Sequence, residues 1–188
     1  MKKIITIIIC LITTIISNAQ EYTLINGAYD NKTIEQYESI SAEALYVKSL
    51  EVLSDWSGSQ KQSKINIDVQ DKEQGLIIYK GSLYLGFYKA NILAGWNVYA
   101  DFTLKIKCKN EKAQISCHVP TLTFDWSAKQ YPAITTVQLE EIYPKYIHKS
   151  QYKIKKAAIE YAPKVQSLFD KVIVYLAEKL KTQNDDNF

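Results

Sequence analysis

Between residues 102 and 119 apolar side chains fall at every second position. Phe102, Leu104, Ile106 and Cys108 share one parity, and Thr103, Lys105, Lys107 and Lys109 take the other. Beyond Asn110 and Glu111 the alternation resumes, with Ile115, Cys117 and Val119 set against Gln114, Ser116 and His118. Successive strand residues point to opposite faces, so this pattern describes two strands, each with one apolar and one wet side. Ile65, Ile67 and Val69 alternate in the same way with Lys64, Asn66, Asp68 and Gln70. Asp71-Lys72-Glu73-Gln74-Gly75 then reads as a hairpin turn in which Gly75 takes positive φ. Residues 76–85 return as the partner strand, with Gly81 marking a bulge. Four antiparallel strands with one apolar face require a cover.

That cover is written in a different period. Leu45, Ser49, Val52, Leu53 and Trp56 recur at helical spacing and leave Lys48, Glu51 and Asp55 outside. Ser41 stands as N-cap, Glu43 places an anion in the first turn, and Ile40 can staple Leu45, so a helix is expected over residues 41–56. Ser57-Gly58-Ser59 breaks it. Val165, Leu168, Phe169, Val172, Leu176 and Leu180 describe a second helix, with Pro163 in its opening turn. Residues 152–161 read as a further helical piece, residues 33–40 as a short edge strand, and residues 127–150, with Pro132 and Pro144, as an irregular connection. The expectation is one α+β domain over residues 20–182, a curved antiparallel sheet of four to five strands with helices packed on one face. Residues 183–188 are expected to be a flexible tail.

The first nineteen residues stand apart from that domain. Lys2 and Lys3 precede an apolar run over residues 4–16, and Ser17-Asn18-Ala19 supplies a small-x-small site. This is the layout of a secretory signal peptide, cleaved between Ala19 and Gln20. The run falls short of the roughly 20 apolar residues a membrane span needs, so no transmembrane anchor is expected after cleavage. Ile7, Ile8 and Ile9 ahead of Cys10 lack the small residue of a lipobox. Without Lys2 and Lys3 the 23 basic residues fall to 21 against 20 acidic ones, which leaves no basic field for a polyanion. Every basic residue is lysine, so the planar fork that grips phosphate and guanine bidentately is missing, and nucleic acid is not an expected partner.

Catalytic chemistry finds little to work with. A two-residue turn at Asn110 and Glu111 pairs Cys108 with Ala113 and Cys117 with Leu104, roughly 13 Å apart along the strand and beyond disulfide reach. A six-residue loop would instead set the two cysteines opposite each other. Two buried thiols acting as small hydrophobes is the expected outcome. Cys117 and His118 point to opposite strand faces and His148 is the one other histidine, so no metal or other cofactor is expected. There is no Gly-x-Ser-x-Gly elbow and no phosphate-cradling glycine loop. Asp101, Asp125 and Glu140, at strand ends, are the carboxylates an acid–base enzyme would use, and no catalytic residue is assigned. Trp56 and Trp96 read as packing, whereas Trp126, at a strand end, reads equally as packing or as a ligand platform.

Ser41-Ala42-Glu43-Ala44-Leu45-Tyr46 opening a helix, then Asp71-Lys72-Glu73-Gln74-Gly75-Leu76-Ile77 and Lys80-Gly81, resemble the family of exported bacterial domains of unknown function with a TBP-like fold. The resemblance covers residues 32–126 and departs at Tyr79, where the family has glycine. It implies a curved antiparallel sheet with helices on one face, and it brings no catalytic residues.

A one-sided cover leaves the other sheet face free. There the alternation sets Lys64, Asn66, Asp68, Lys105, Lys107, Gln114, Ser116 and His118. Of these, Lys64, Asn66, Lys105, Lys107, Ser116 and His118 are the candidate contact residues for a ligand or partner. The expected function is a non-enzymatic binding or interaction module of the periplasm or cell surface, using that face or the 127–150 connection, with an envelope protein or a small ligand as partner. An envelope hydrolase built on the carboxylates, or a structural subunit of an envelope assembly, are the alternatives. A concave site with convergent titratable groups would mark the first, and self-association the second.

Overall fold

In the computed structural model, which describes residues 28–92, 94–126, 134–139 and 152–182, the alternating segments form the centre of the sheet. β4 (Gly95–Lys109) and β5 (Lys112–Trp126) make a long hairpin turned by Asn110 and Glu111, the latter at φ 57°. Cys108 pairs with Ala113 and Leu104 with Cys117, the register a two-residue turn imposes. β3 (Leu76–Lys89) lies beside β4, and β2 (Lys64–Asp71) lies outside β3. β1 (Tyr29–Gln36) pairs with β5, giving the order β1-β5-β4-β3-β2.

A sixth strand, β6 (Ile134–Gln138), also pairs with β5, inside the stretch expected to be irregular. The reason lies in β5. β1 accompanies it only as far as Val119, and β6 takes over from Thr121 to Asp125, so the second half of the edge is also paired. Pro120, between the two pairings, has no N–H to give to either. At the same place β5 advances three residues, from His118 to Thr121, while β4 advances two, from Thr103 to Asp101. This bulge moves the buried parity from Val119 to Leu122.

Both helices cover one face. α1 (Ala42–Ser59) is capped as expected, the Ser41 hydroxyl accepting from the Ala44 N–H at 3.1 Å. It buries Leu45, Ser49, Val52, Leu53 and Trp56. Lys48 is buried with them rather than outside, because the covered sector also takes in Tyr46 and the lysine stem packs along it. Desolvation lowers the pKa of its ammonium group, opposed by Glu51. α2 (Tyr152–Thr182) is one helix, not two pieces, and passes through Pro163. An interior proline costs about 3 kcal/mol or more. The buried residues on either side of it, Ala157, Ala158, Tyr161 and Val165, oppose that cost by packing into the core. No helix among the described residues is long and apolar enough to cross a membrane.

A run of aromatic rings joins the layers. Trp56 of α1 meets Phe102 of β4 edge-on at 5.8 Å, Phe102 meets Phe169 of α2 at 5.4 Å, and Phe169 meets Tyr29 of β1 at 5.9 Å. Phe102 and Leu104 are closed to water, at 3% and 0% exposure, while Lys105 and Lys107 lie on the uncovered side.

The edges hold the remaining corrections. The first strand begins at Tyr29 and ends at Gln36, not at residue 40. Ser39 turns with φ 57°, and Tyr37 and Ile40 then bond to the β4–β5 hairpin through Glu111. Gly75 takes its expected positive φ, 61°, and its carbonyl accepts from the Cys108 N–H at 2.7 Å. Gly81 marks no bulge. It pairs directly with Ile65 and Phe102, and a Cβ there would run into the Lys64 carbonyl and come within 2.8 Å of Ile65 Cα. The irregularities lie instead at Asp68 and at Leu85. The first of them sets Val69 opposite Ile78, off the face that Ile65 and Ile67 share. Ile67 is 47% exposed because α1 does not reach over β2, leaving a groove of about 550 Å³ lined by Leu50, Ser54, Ile67 and Tyr79.

Polar contacts tie α2 to β1. Tyr29 Oη and Asn31 Nδ2 both donate to Asp170 Oδ1 at 2.7 Å, and Lys181 Nζ lies 2.7 Å from Glu35 Oε2. The bond from Lys181 holds the Glu35 carboxyl below its ordinary pKa of 4.5. A carboxylate with a depressed folded pKa stabilises above its unfolded value and loses that contribution as pH falls through the folded one. Glu35→Gln should therefore cost about 0.2–1 kcal/mol near pH 7, the range of a half-exposed pair. Urea titrations of both proteins should show that difference closing at low pH, and an equal gap at both pH values would remove the pair from the account.

The expected signal peptide, its Ala19–Gln20 cleavage site, the 183–188 tail and most of the 127–150 connection lie outside the described residues.

Candidate functional site

Register arranges the uncovered face in rows. Ile78, Lys105, Ser116 and Lys32 form one row across β3, β4, β5 and β1. Lys80, Thr103, His118 and Asp30 form the next, and Ser82, Asp101 and Thr121 the one after. The first row carries two ammonium groups, one on each side of a serine hydroxyl. Neighbouring strands lie about 4.8 Å apart, so long side chains two strands apart can reach a common ligand.

Lys105, Ser116 and His118, three of the six residues singled out from the sequence, line one depression of about 420 Å³ together with Asp30, Lys32 and Thr103. His118 Nδ1 lies 2.7 Å from Asp30 Oδ1. Lys107 stands one row away, opposite Gln114. Lys64 and Asn66 are on β2, opposite Ser82 and Lys80, and do not reach this place. Asp68 is engaged by Lys80 at 2.9 Å. Asp30 and Lys32 were missed by sequence reasoning because a strand starting at residue 33 excludes both. Period-two spacing from Tyr29 through Asn31 and Thr33 was the available signal.

The carboxylates expected of an enzyme are arranged differently. Asp101 accepts three hydroxyl bonds, from Ser82 at 2.5 Å, Thr121 at 2.8 Å and Thr123 at 2.6 Å. Both of its oxygens are thus occupied in joining β3, β4 and β5. Asp125 stands two rows further on, opposite Asn97 and Ile134, and Glu140 lies outside the described residues, as does His148. Among the described residues no three His, Cys, Asp or Glu side chains come together as a metal site.

Cys108 and Cys117 are free and buried. Burial raises the pKa of both thiols, steeply at Cys117, so neither is a thiolate nucleophile near neutral pH. Trp56 packs in the core, whereas Trp96 stacks on Tyr88 at 5.9 Å and meets Trp126 at 5.0 Å at the strand ends.

Residues 31–120 match the family model of a domain of unknown function, DUF4468, with a TBP-like fold. A solved DUF4468 family protein from Bacteroides ovatus ATCC 8483 superposes with a TM-score of 0.57 at 12% identity, over 87% of this chain and 92% of that one. A TBP-like protein from Parabacteroides distasonis ATCC 8503 gives 0.47 at 13% identity, over 80% and 94%. At such identity the first likeness shows the fold. No curated protein matches the chain.

Proposed function

The chain carries a DUF4468 domain with a TBP-like fold across residues 31–120, and on that premise we propose that it is an exported, non-enzymatic binding module of the cell envelope whose uncovered sheet face makes the contact. One observation carries the reading. Both helices lie on the face that buries Phe102, Leu104 and Ile115, and the opposite face, with Lys105 and Lys107, carries no helix among the described residues. Export rests on the signal-like layout of residues 1–19. The hydrolase alternative is weaker, since Asp101 is already held by three hydroxyls and Asp125 lies apart from it.

Lysine-reactivity footprinting tests this. Protein recovered from the envelope fraction should begin at Gln20. Adding envelope extract should slow labelling of Lys105 and Lys107 while Lys171, exposed on α2, keeps its rate. Protection of Lys171 with the sheet face unchanged would reverse the assignment.

A further inference from the structure

We infer that the depression over Ser116 is a binding site for a phosphate group, with Lys32 and Lys105 as its two cationic walls. The inference rests on the reading of the uncovered face as the contact surface and names the chemistry of what it takes. Two rows of that face, compared, make the case. Around Asp101 the face supplies its own acceptor, and three hydroxyls converge on it. Around Ser116 the lysine and hydroxyl donors are left without an acceptor of their own. The Lys32 and Lys105 ammonium groups and the Thr103 and Ser116 hydroxyls line one depression, and none makes a side-chain hydrogen bond or ion pair among the described residues. Asp30, the sole carboxylate there, is engaged by His118 at 2.7 Å. A concave set of donors with two unpaired positive charges is complementary to a group that only accepts and carries negative charge.

Phosphate meets that requirement more fully than carboxylate. It brings three terminal oxygens and a charge of about −1.5 to −2 at neutral pH, matching two ammonium groups and two hydroxyls. Lysine binds phosphate as a point charge, so the absence of arginine is no obstacle at a site where strand register does the positioning. The neighbouring Ile78 adds apolar surface in the same row.

Titration with inorganic phosphate at constant ionic strength, followed by amide chemical shifts, tests the site. Saturable shifts are expected at Thr103, Lys105 and Ser116. Lys32→Gln and Lys105→Gln should each weaken binding by roughly tenfold, the effect of losing about 1.4 kcal/mol. Ser116→Ala, a smaller change, should weaken it less. Lys64→Gln, on the far edge, should leave it unchanged. Equal weakening by Lys64→Gln, or shifts scattered over all surface lysines, would mean charge screening and overturn the site. Glycerol phosphate and phosphatidic acid vesicles then separate the sources. Binding of either that disappears in the Lys32→Gln/Lys105→Gln double variant supports the site, and vesicle binding that survives it counts against. If phosphate fails to bind while envelope extract still protects Lys105, the ligand class is wrong and the contact face stands.

Discussion

Replacing Phe169 with alanine is expected to remove about 3–5 kcal/mol of stability, the cost of a large aromatic cavity in a packed core. Phe169 is 1% exposed and touches rings from two other elements, Phe102 at the sheet centre and Tyr29 on its edge. Trp56 extends the chain to α1, so one ring helps to seat both helices and both halves of the sheet. A domain of this size holds about 5–15 kcal/mol in all, so the loss is about a fifth of the total at the least. Urea unfolding should show a midpoint far below the parent's with a similar slope. A loss under about 1 kcal/mol would mean that the neighbouring rings close the gap, against the usual behaviour of packed interiors.

Gly81→Val should be the next most damaging change. The obstructing atoms belong to the backbone of Lys64 and Ile65, which cannot rotate away as a side-chain tip would. Overpacking of this kind costs about 1–3 kcal/mol, and here it pushes against β2, which pairs with β3 alone among the described residues. The expected signature is faster amide exchange confined to β2, with β4 and β5 keeping their protection. Gly58→Ala is the matched control. Nothing lies within 4 Å of a Cβ there, and alanine in a helix gains about 0.5–1 kcal/mol over glycine. If Gly81→Val leaves β2 as protected as before, the close approach of the two backbones does not constrain the position.

Legibility followed burial. β4 and β5 could be placed from the alternation of Phe102 to Val119 because one face of each is sealed and the other is not, which writes the pleat into the residues. α1 was legible for the same reason, down to its Ser41 cap. β6 was not, because Ile134-Thr135-Thr136-Val137-Gln138 is short and forms on an edge that β1 vacates many residues earlier. The start of β1 depends on Asp170, 139 residues from Asn31, which no local pattern reports. Pro163 was weighed by its local cost, whereas the packed residues around it decide the matter. The candidate site was half legible. Parity alone assigned Lys105, Ser116 and His118 to one face, but grouping them with Lys32 and Thr103 required the strand order, and it separated them from Lys64 and Asn66.

Pro120 has a last consequence. The rim of the sheet along β5 is stitched by two short lengths from distant parts of the sequence, and the seam between them contains no ladder bond from the proline nitrogen. Fraying that starts at Ile134 therefore halts at a ready-made gap. The N-terminal length, pinned to α2 through Asp170, stays sewn while the other comes loose.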